Sequence, residues 1–271
     1  MSTDAEKQRL DVALVDRGLA ESRQKAQALI MAGVVYAAGR KADKPSQTVR
    51  AQDALDVRGA AHPYVSRGAL KLAKALQVFA LCVRDAVAVD VGASTGGFTD
   101  VLLRGGARHV YAVDVGYGQL DWRLRNDARV TVMERTNARY LIPADFMPPP
   151  TLAVMDVSFI SVLKILPALF AILGAEGACV TLIKPQFEAG RDRVGKKGVV
   201  RDAITHRAVL ASILAGVSGW GWHCAGLDYS PITGPEGNIE FLAYLRPGTG
   251  AGVADAFEVV AQAHATLQIP Q

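Results

Sequence analysis

The sequence predicts an α/β protein with a doubly wound, mostly parallel sheet, preceded by a small α+β module. Three observations carry this. Beyond Val65, short apolar runs alternate with segments of helical period, the pattern of a parallel sheet covered on both faces. After the first of those runs comes a glycine-rich turn, Asp90-Val91-Gly92-Ala93-Ser94-Thr95-Gly96-Gly97-Phe98, which opens a helix. Ahead of both, the stretch from Leu10 to Val57 reads as two helices followed by short strands.

In the first N-terminal helix Leu10, Ala13 and Leu14 share one face and Gly18 stops it. Ser22 caps the second, whose Ala26, Leu29 and Ile30 face inward before Gly33 ends it. Val34-Val35-Tyr36 and Ala54-Leu55-Asp56-Val57 read as strands, with Ala38-Gly39 as a turn. Gly59-Ala60-Ala61-His62-Pro63 has no hydrophobic period and reads as a linker. The expected division is 1–59 for the module, 60–65 for the linker, 66–250 for the α/β domain and 251–271 for a C-terminal helix or tail. The α/β strands are expected at Ala86–Val91, His109–Asp114, Val130–Glu134, Leu152–Asp156, Ala178–Lys184, His223–Ser230 and Asn238–Leu245. Helices are expected near Ala69–Phe79, Phe98–Leu103, Val162–Leu173 and Ala203–Gly216.

Half of the 271 residues are hydrophobic, enough for a sizeable core, and a net charge of +4 permits a polyanionic partner without demanding one. The three cysteines, Cys82, Cys179 and Cys224, lack paired spacing, so neither a disulfide framework nor a metal site is expected. Met1 to Arg9 is polar, and Leu166 to Ile183 is broken by Gly174, Glu176 and Gly177. A cytoplasmic protein without signal peptide or membrane span is therefore expected.

The N-terminal module resembles the RNA-binding domain first described in ribosomal small-subunit protein four. The matching residues are Arg9-Leu10-Asp11, Gly18-Leu19-Ala20, Ser22-Arg23, Ala26, Leu29-Ile30, Gly33-Val34-Val35 and Asp53. The resemblance implies that Arg23, Lys25, Arg40, Lys41 and Lys44 contact RNA phosphates. The family usually has Asn where Ala38 precedes Gly39, so a looser turn is expected.

In the glycine turn, Gly92 lets the backbone reverse, and Gly96 and Gly97 let it approach a ligand at the head of the next helix. Asp114 ends the second strand 22 residues after Gly92, a distance suited to accepting bonds from ribose hydroxyls. Nicotinamide, flavin and S-adenosylmethionine enzymes all use such turns. The lack of G-x-G-x-x-G, and Asp90 at the strand end as a carboxylate for a sulfonium ligand, favour S-adenosylmethionine. The expected cofactor set is Asp90, Gly92, Ser94, Gly96, Gly97, Phe98, Asp114, Asn137 and Asp156.

Asp156 and Lys184 end two strands and should face one crevice, because ligands in open α/β sheets sit outside the carboxyl ends of the strands. Lys71 lies in the helix feeding the first strand, and Glu240 lies in the last strand. Transfer of a methyl group to a ribose hydroxyl needs that hydroxyl deprotonated, and a lysine whose pKa is lowered by burial or a neighbouring cation serves. Lys184 is assigned as base, Lys71 as the neighbouring cation, Asp156 as orienter and Glu240 as balancing charge.

Seven motifs in order then resemble the TlyA family of ribosomal RNA methyltransferases, whose catalytic domain is similar to the FtsJ/RrmJ ribose methyltransferases. They are Ser66-Arg67-Gly68-Ala69-Leu70-Lys71, the Gly92 to Phe98 turn, Asp114 to Leu120, Glu134 to Arg139, Asp156 to Ser161, Lys184 to Glu188 and Gly237 to Glu240. The resemblance implies a Rossmann-like class I methyltransferase using S-adenosylmethionine, 2′-O-methylation of cytidine in ribosomal RNA, and Lys71, Asp156, Lys184 and Glu240 as a catalytic tetrad. Arg67, together with Arg191, Arg193, Lys196 and Lys197 of a glycine-rich loop from Gln186 to Val200 that is read as mobile, is expected to meet RNA. Phe159 and Tyr117 are candidates to stack on a base, with core packing the favoured role for each.

Four other readings compete. Base N-methylation would use an Asp/Asn-Pro-Pro-Tyr element, which Asp156-Val157-Ser158-Phe159 resembles without its prolines, and cytosine carbon methylation would need a cysteine at a strand end. A membrane-active haemolysin would need an exported or amphipathic segment, and none is visible. A noncatalytic RNA-binding assembly factor would have lost the tetrad.

Overall fold

The computed structural model describes residues 7–20, 22–31, 33–57, 62–250 and 255–267. It divides into two compact units, Met1–Arg67 and Gly68–Gln271. Part of the expected linker, Gly59-Ala60-Ala61, lies outside the described residues, as do 251–254 and 268–271 of the expected tail.

The first unit packs helices α1 (Leu10–Asp16) and α2 (Arg23–Met31) on short strands. Leu10, Ala13 and Leu14 from α1 and Ala26 and Ile30 from α2, all fully buried, join Val35 and Val49 in one core. Ser22 caps α2, its Oγ accepting from the Lys25 N–H at 3.2 Å. Strands β2 (Val35–Ala37), β3 (Arg40–Lys41) and β5 (Leu55–Val57) form an antiparallel sheet ordered β3-β2-β5, while β1 (Lys7–Arg9) pairs with β4 (Thr48–Arg50). Strands of two or three residues show no alternation, which is why β1, β3 and β4 escape a reading of the sequence. The Ala38-Gly39 turn closes despite its departure from the family: Ala38 takes φ 49° and Gly39 φ 77°. The left-handed alanine costs about 1–2 kcal/mol that an asparagine would reduce.

Asp11 is the buried charge of this unit. Its carboxylate accepts from Arg9, from Arg23 Nε at 2.9 Å and from Gln27 Nε2 at 2.8 Å. The Arg9 hydrogen bond and its other partners hold its pKa well below the usual carboxylate range, against the effect of burial.

The second unit is a seven-stranded sheet. Its strands are β6 (Val87–Val91), β7 (His109–Val113), β8 (Val130–Met133), β9 (Leu152–Met155), β10 (Ala178–Ile183), β11 (Trp222–Tyr229) and β12 (Phe241–Pro247), in the order β11-β12-β10-β9-β6-β7-β8. β12 runs antiparallel to both neighbours, and the other pairings are parallel. Every residue of β6 is buried, as a central parallel strand covered on both faces requires. The helices are α3 (Ala69–Val78), α4 (Gly97–Arg104), α5 (Trp122–Arg125), α6 (Leu166–Leu173), α7 (Pro185–Glu188), α8 (Ala203–Ser218) and α9 (Ala256–Thr266).

Three expectations are corrected. The helix expected over Val162–Leu173 is a 3-10 turn at Val162–Lys164 followed by α6, because Pro167 has no N–H to continue a helix and suits the first turn of a new one. The last strand begins at Phe241, not Asn238, so Glu240 stands just before it. The stretch from Gln186 to Val200 is not a featureless loop: it carries α7 and two 3-10 turns, and Val199 and Val200 are buried. Val200 N–H donates to Asn238 Oδ1 at 3.2 Å, and Asn238 Nδ2 donates to Gly198 O at 3.0 Å, which pins its far end. Among the described residues no helix is long and apolar enough to cross a membrane.

Candidate active site

A cavity of about 540 Å³ opens at the carboxyl ends of β6, β7 and β9, inside the ~300–1,000 Å³ range of ligand pockets. Of the expected cofactor residues, Gly92, Ser94, Asp114, Asn137 and Asp156 line it. Asp90, Gly96, Gly97 and Phe98 are buried and do not: Asp90 lies within β6, and at Gly96–Phe98 the chain is already entering α4. Gly92 has φ 82°, and a Cβ there would lie 2.5 Å from the Asp156 backbone oxygen. Asp114 folds the turn against itself, Oδ2 accepting from Ser94 N–H at 2.8 Å and Oδ1 from Gly116 N–H at 2.7 Å.

Asp90 sits behind the wall, fully buried. One oxygen accepts from Thr99 N–H and Oγ1 at 2.9 and 2.7 Å, and the other has no partner. Burial above all, reinforced by the charges of Asp156 and Asp114, pushes its carboxyl up to about 7. It stands behind the cavity wall and is not among the cavity's lining residues.

The cavity fits an adenosine-type cofactor with a cationic sulfur. Asp114 offers a hydroxyl-binding carboxylate, Val113, Val115, Ile160 and Ile165 give apolar walls, Asp156 supplies negative charge, and a glycine at position 92 lets the turn pass close against the Asp156 backbone.

At the edge of this cavity the four expected reacting residues meet. Lys71 from α3 and Lys184 from the end of β10 both reach Asp156, at 3.2 Å to Oδ2 and 2.5 Å to Oδ1. Lys71 also contacts Glu240 Oε2 at 2.6 Å, and Lys184 donates to Ser158 Oγ at 3.1 Å. Glu240 arrives because β12 is reversed. Phe241 pairs with Ile183, so the amino end of β12 lies beside the carboxyl end of β10. The side chains of Lys71 and Lys184 are each 10% exposed, that of Glu240 1%. Burial works against the charge of Lys71, but Asp156 and Glu240 outweigh it and hold its pKa above the usual lysine value. Burial likewise opposes the charge of Asp156, yet Lys71 and Lys184 keep its carboxyl below the usual range.

Two aromatic side chains read as core in the sequence are exposed instead: Phe159 is 90% exposed and Tyr117 67%. Phe159 has φ 65°, and its ring lies 5.0 Å from that of Phe187. Tyr117 lies under the guanidinium of Arg135, 4.2 Å away. Sequence reasoning also passed over Ser158, which no periodicity marks. Cys179 is no nucleophile, since its burial inside β10 pushes the thiol up to about 12. Of the expected RNA contacts, Arg23 and Lys25 are exposed on α2, Arg40 and Lys41 on β3, and Lys44 just after it, with Arg23 also bound to Asp11. Arg67 is half-buried, Arg191, Arg193 and Lys197 are exposed, and the side chain of Lys196 lies outside the described atoms.

Comparison with known proteins agrees with both units. A model of the FtsJ-like methyltransferases matches residues 64–246, and a model of the S4 domain matches residues 8–55. The chain is 49% identical over 247 residues to a Mycobacterium tuberculosis protein named 16S/23S rRNA (cytidine-2′-O)-methyltransferase TlyA, covering 90% of this chain and 92% of that one. It is 43% identical to a Brachyspira hyodysenteriae protein named hemolysin A, covering 88% and 99%. A solved Streptococcus thermophilus structure described as a candidate hemolysin is 48% identical and superposes with a TM-score of 0.78, covering 96% of each chain. The chain belongs to the TlyA group of FtsJ-like methyltransferases, enzymes that use S-adenosylmethionine and carry an S4 domain ahead of the methyltransferase domain.

Proposed function

We propose that this protein methylates the 2′-hydroxyl of a cytidine ribose in ribosomal RNA, in the cytoplasm, with Lys184 taking the hydroxyl proton. The observation that carries the reading is the buried cluster in which Asp156 is shared by Lys71 and Lys184 while Glu240 closes on Lys71. The names of the relatives at 43% and 49% identity divide between a lytic and an RNA-modifying activity. A lytic protein has no evident use for this cluster, and a ribose methyltransferase does.

S-adenosylmethionine supplies, when bound, an electrophilic methyl group on a cationic sulfur. What remains for the chain is to seat the acceptor and remove a proton from a hydroxyl that is a poor nucleophile until it is deprotonated. Lys71 is held charged by two carboxylates, so the base role falls to Lys184. Asp156 fixes the orientation of both ammonium groups. Glu240 keeps the cluster neutral overall, two positive groups against two negative ones. Arg23, Lys25, Arg40, Lys41 and Lys44 of the S4 unit, with Arg67, Arg191, Arg193, Lys196 and Lys197, would hold RNA phosphates. Exposed Phe159 and Tyr117 are faces on which an unpaired base stacks.

The test is methyl transfer from labelled S-adenosylmethionine to purified ribosomal subunits, wild type against Lys184→Ala, with the product mapped as a ribose-methylation stop. Transfer lost in the variant supports the reading. Transfer by wild type to a base atom, or to neither subunit, overturns it.

A further inference from the structure

A second cavity, of about 240 Å³, meets the cofactor cavity at Ser158 and Phe159, which line both. Phe187, Lys184, Gln186, Asn238 and Glu240 also line it. The polar side chains around it are accounted for, with one exception. Lys184 is bound to Asp156 and Ser158, Glu240 to Lys71, and Asn238 to Gly198 and Val200. At the rim, Lys197 and Glu236, both with positive φ, expose their charges to water. The exception is the Gln186 carboxamide, whose Oε1 is buried without a hydrogen-bond partner.

An unpartnered buried acceptor is destabilising, and such a group persists where a ligand completes it. Here it lies two residues from the proposed base and next to Phe187, whose ring stands 5.0 Å from the exposed Phe159. This combination of aromatic faces, a proposed base for a ribose hydroxyl and a buried, unpartnered acceptor suits a nucleotide whose base enters this cavity while its sugar meets Lys184.

Resting on the function proposed above, we infer that Gln186 is a specificity-determining residue that reads the acceptor base, its Oε1 accepting from an exocyclic amino group such as cytosine N4. Uracil presents a carbonyl at that position, which would set one acceptor against another. Gln186 therefore takes no part in the proton transfer and acts on the choice of nucleotide.

The experiment is single-turnover methylation of reconstituted ribosomal subunits carrying cytidine or uridine at the mapped target. Wild type, Gln186→Met and Gln186→Glu are compared, with calorimetric S-adenosylmethionine binding as the check on folding. Wild type is expected to prefer cytidine by at least about tenfold, roughly 1.4 kcal/mol. Gln186→Met is expected to bring the two rates within about threefold, chiefly by slowing cytidine. Gln186→Glu, whose oxygens both accept, is expected to keep the preference, a rescue that a merely structural role would not give. A Met variant with the wild-type ratio overturns the inference and leaves the proposed function standing, as does a Glu variant that loses the preference while binding cofactor normally. Wild type inactive on both substrates overturns the proposed function, and this inference with it.

Discussion

Replacing Lys71 with methionine removes one charge from the cluster and keeps most of the side chain's apolar volume. Its ammonium lies 2.6 Å from Glu240, whose side chain is 1% exposed, and 3.2 Å from Asp156. Without Lys71, the Glu240 carboxylate has no cation among the described ion pairs and little access to water. Breaking a buried pair from one side costs about 3–5 kcal/mol, whereas removing both charges together is often close to neutral. Lys71→Met is accordingly expected to lose about 3–5 kcal/mol. Lys71→Met/Glu240→Gln is expected to recover at least about 2 kcal/mol of that loss, a coupling of the size seen for contacting residues. All three tryptophans, Trp122, Trp220 and Trp222, lie in the second unit, so urea melts followed by tryptophan fluorescence read that unit alone. Methyl transfer is expected to fail in every variant. A single variant within about 1 kcal/mol of wild type, or a double variant as unstable as the two single losses added, would refute the reasoning.

Three further outcomes follow from the same geometry. Gly92→Ala would press a Cβ to 2.5 Å from the Asp156 oxygen at φ 82°; calorimetry should show S-adenosylmethionine affinity falling at least about tenfold, and the unit should melt earlier by the ~1–2 kcal/mol cost of a left-handed alanine, an unchanged affinity counting against the cavity assignment. Asp90 is raised in the folded state, so the stability its protonated form contributes is complete below the unfolded pKa near 3.8 and is lost as pH rises to about 7. Asp90→Asn should therefore gain on wild type across that window, by up to about 4 kcal/mol, and parallel pH profiles of the two proteins would exclude it. Asp11→Ala strips the partner from Arg9, Arg23 and Gln27, and hydrogen exchange over residues 10–31 should report a loss of about 2–3 kcal/mol confined to the S4 unit.

The strands of the catalytic unit were legible because buried parallel strands are written as short apolar runs, and β6, β7, β9 and β10 fall within a residue or two of expectation. The four residues proposed to react were legible as a group through chemistry and motif together, since such sheets bind ligands at the carboxyl ends of their strands, and the structure brings them into one ion-paired cluster. Less could be read where local pattern is silent. Asp90 has the look of a ligand carboxylate, and only the three-dimensional packing shows Thr99 claiming it. Phe159 looks like core, because hydrophobicity does not reveal that its backbone turns left-handed and throws the ring outward. The unpaired oxygen of Gln186 has no sequence signature at all, being defined by what its neighbours have already bound.

The reversed strand β12 also sets an order of events. In the sheet it lies between β10 and β11, yet it follows both in the chain, so β11 has no neighbour in the sheet until β12 arrives. Glu240, immediately ahead of β12, can reach Lys71 only after that insertion. A chain cut ahead of Glu240 would lack β12, leave β11 without its sheet neighbour, and hold Lys71 and Lys184 with Asp156 as the one carboxylate of the cluster.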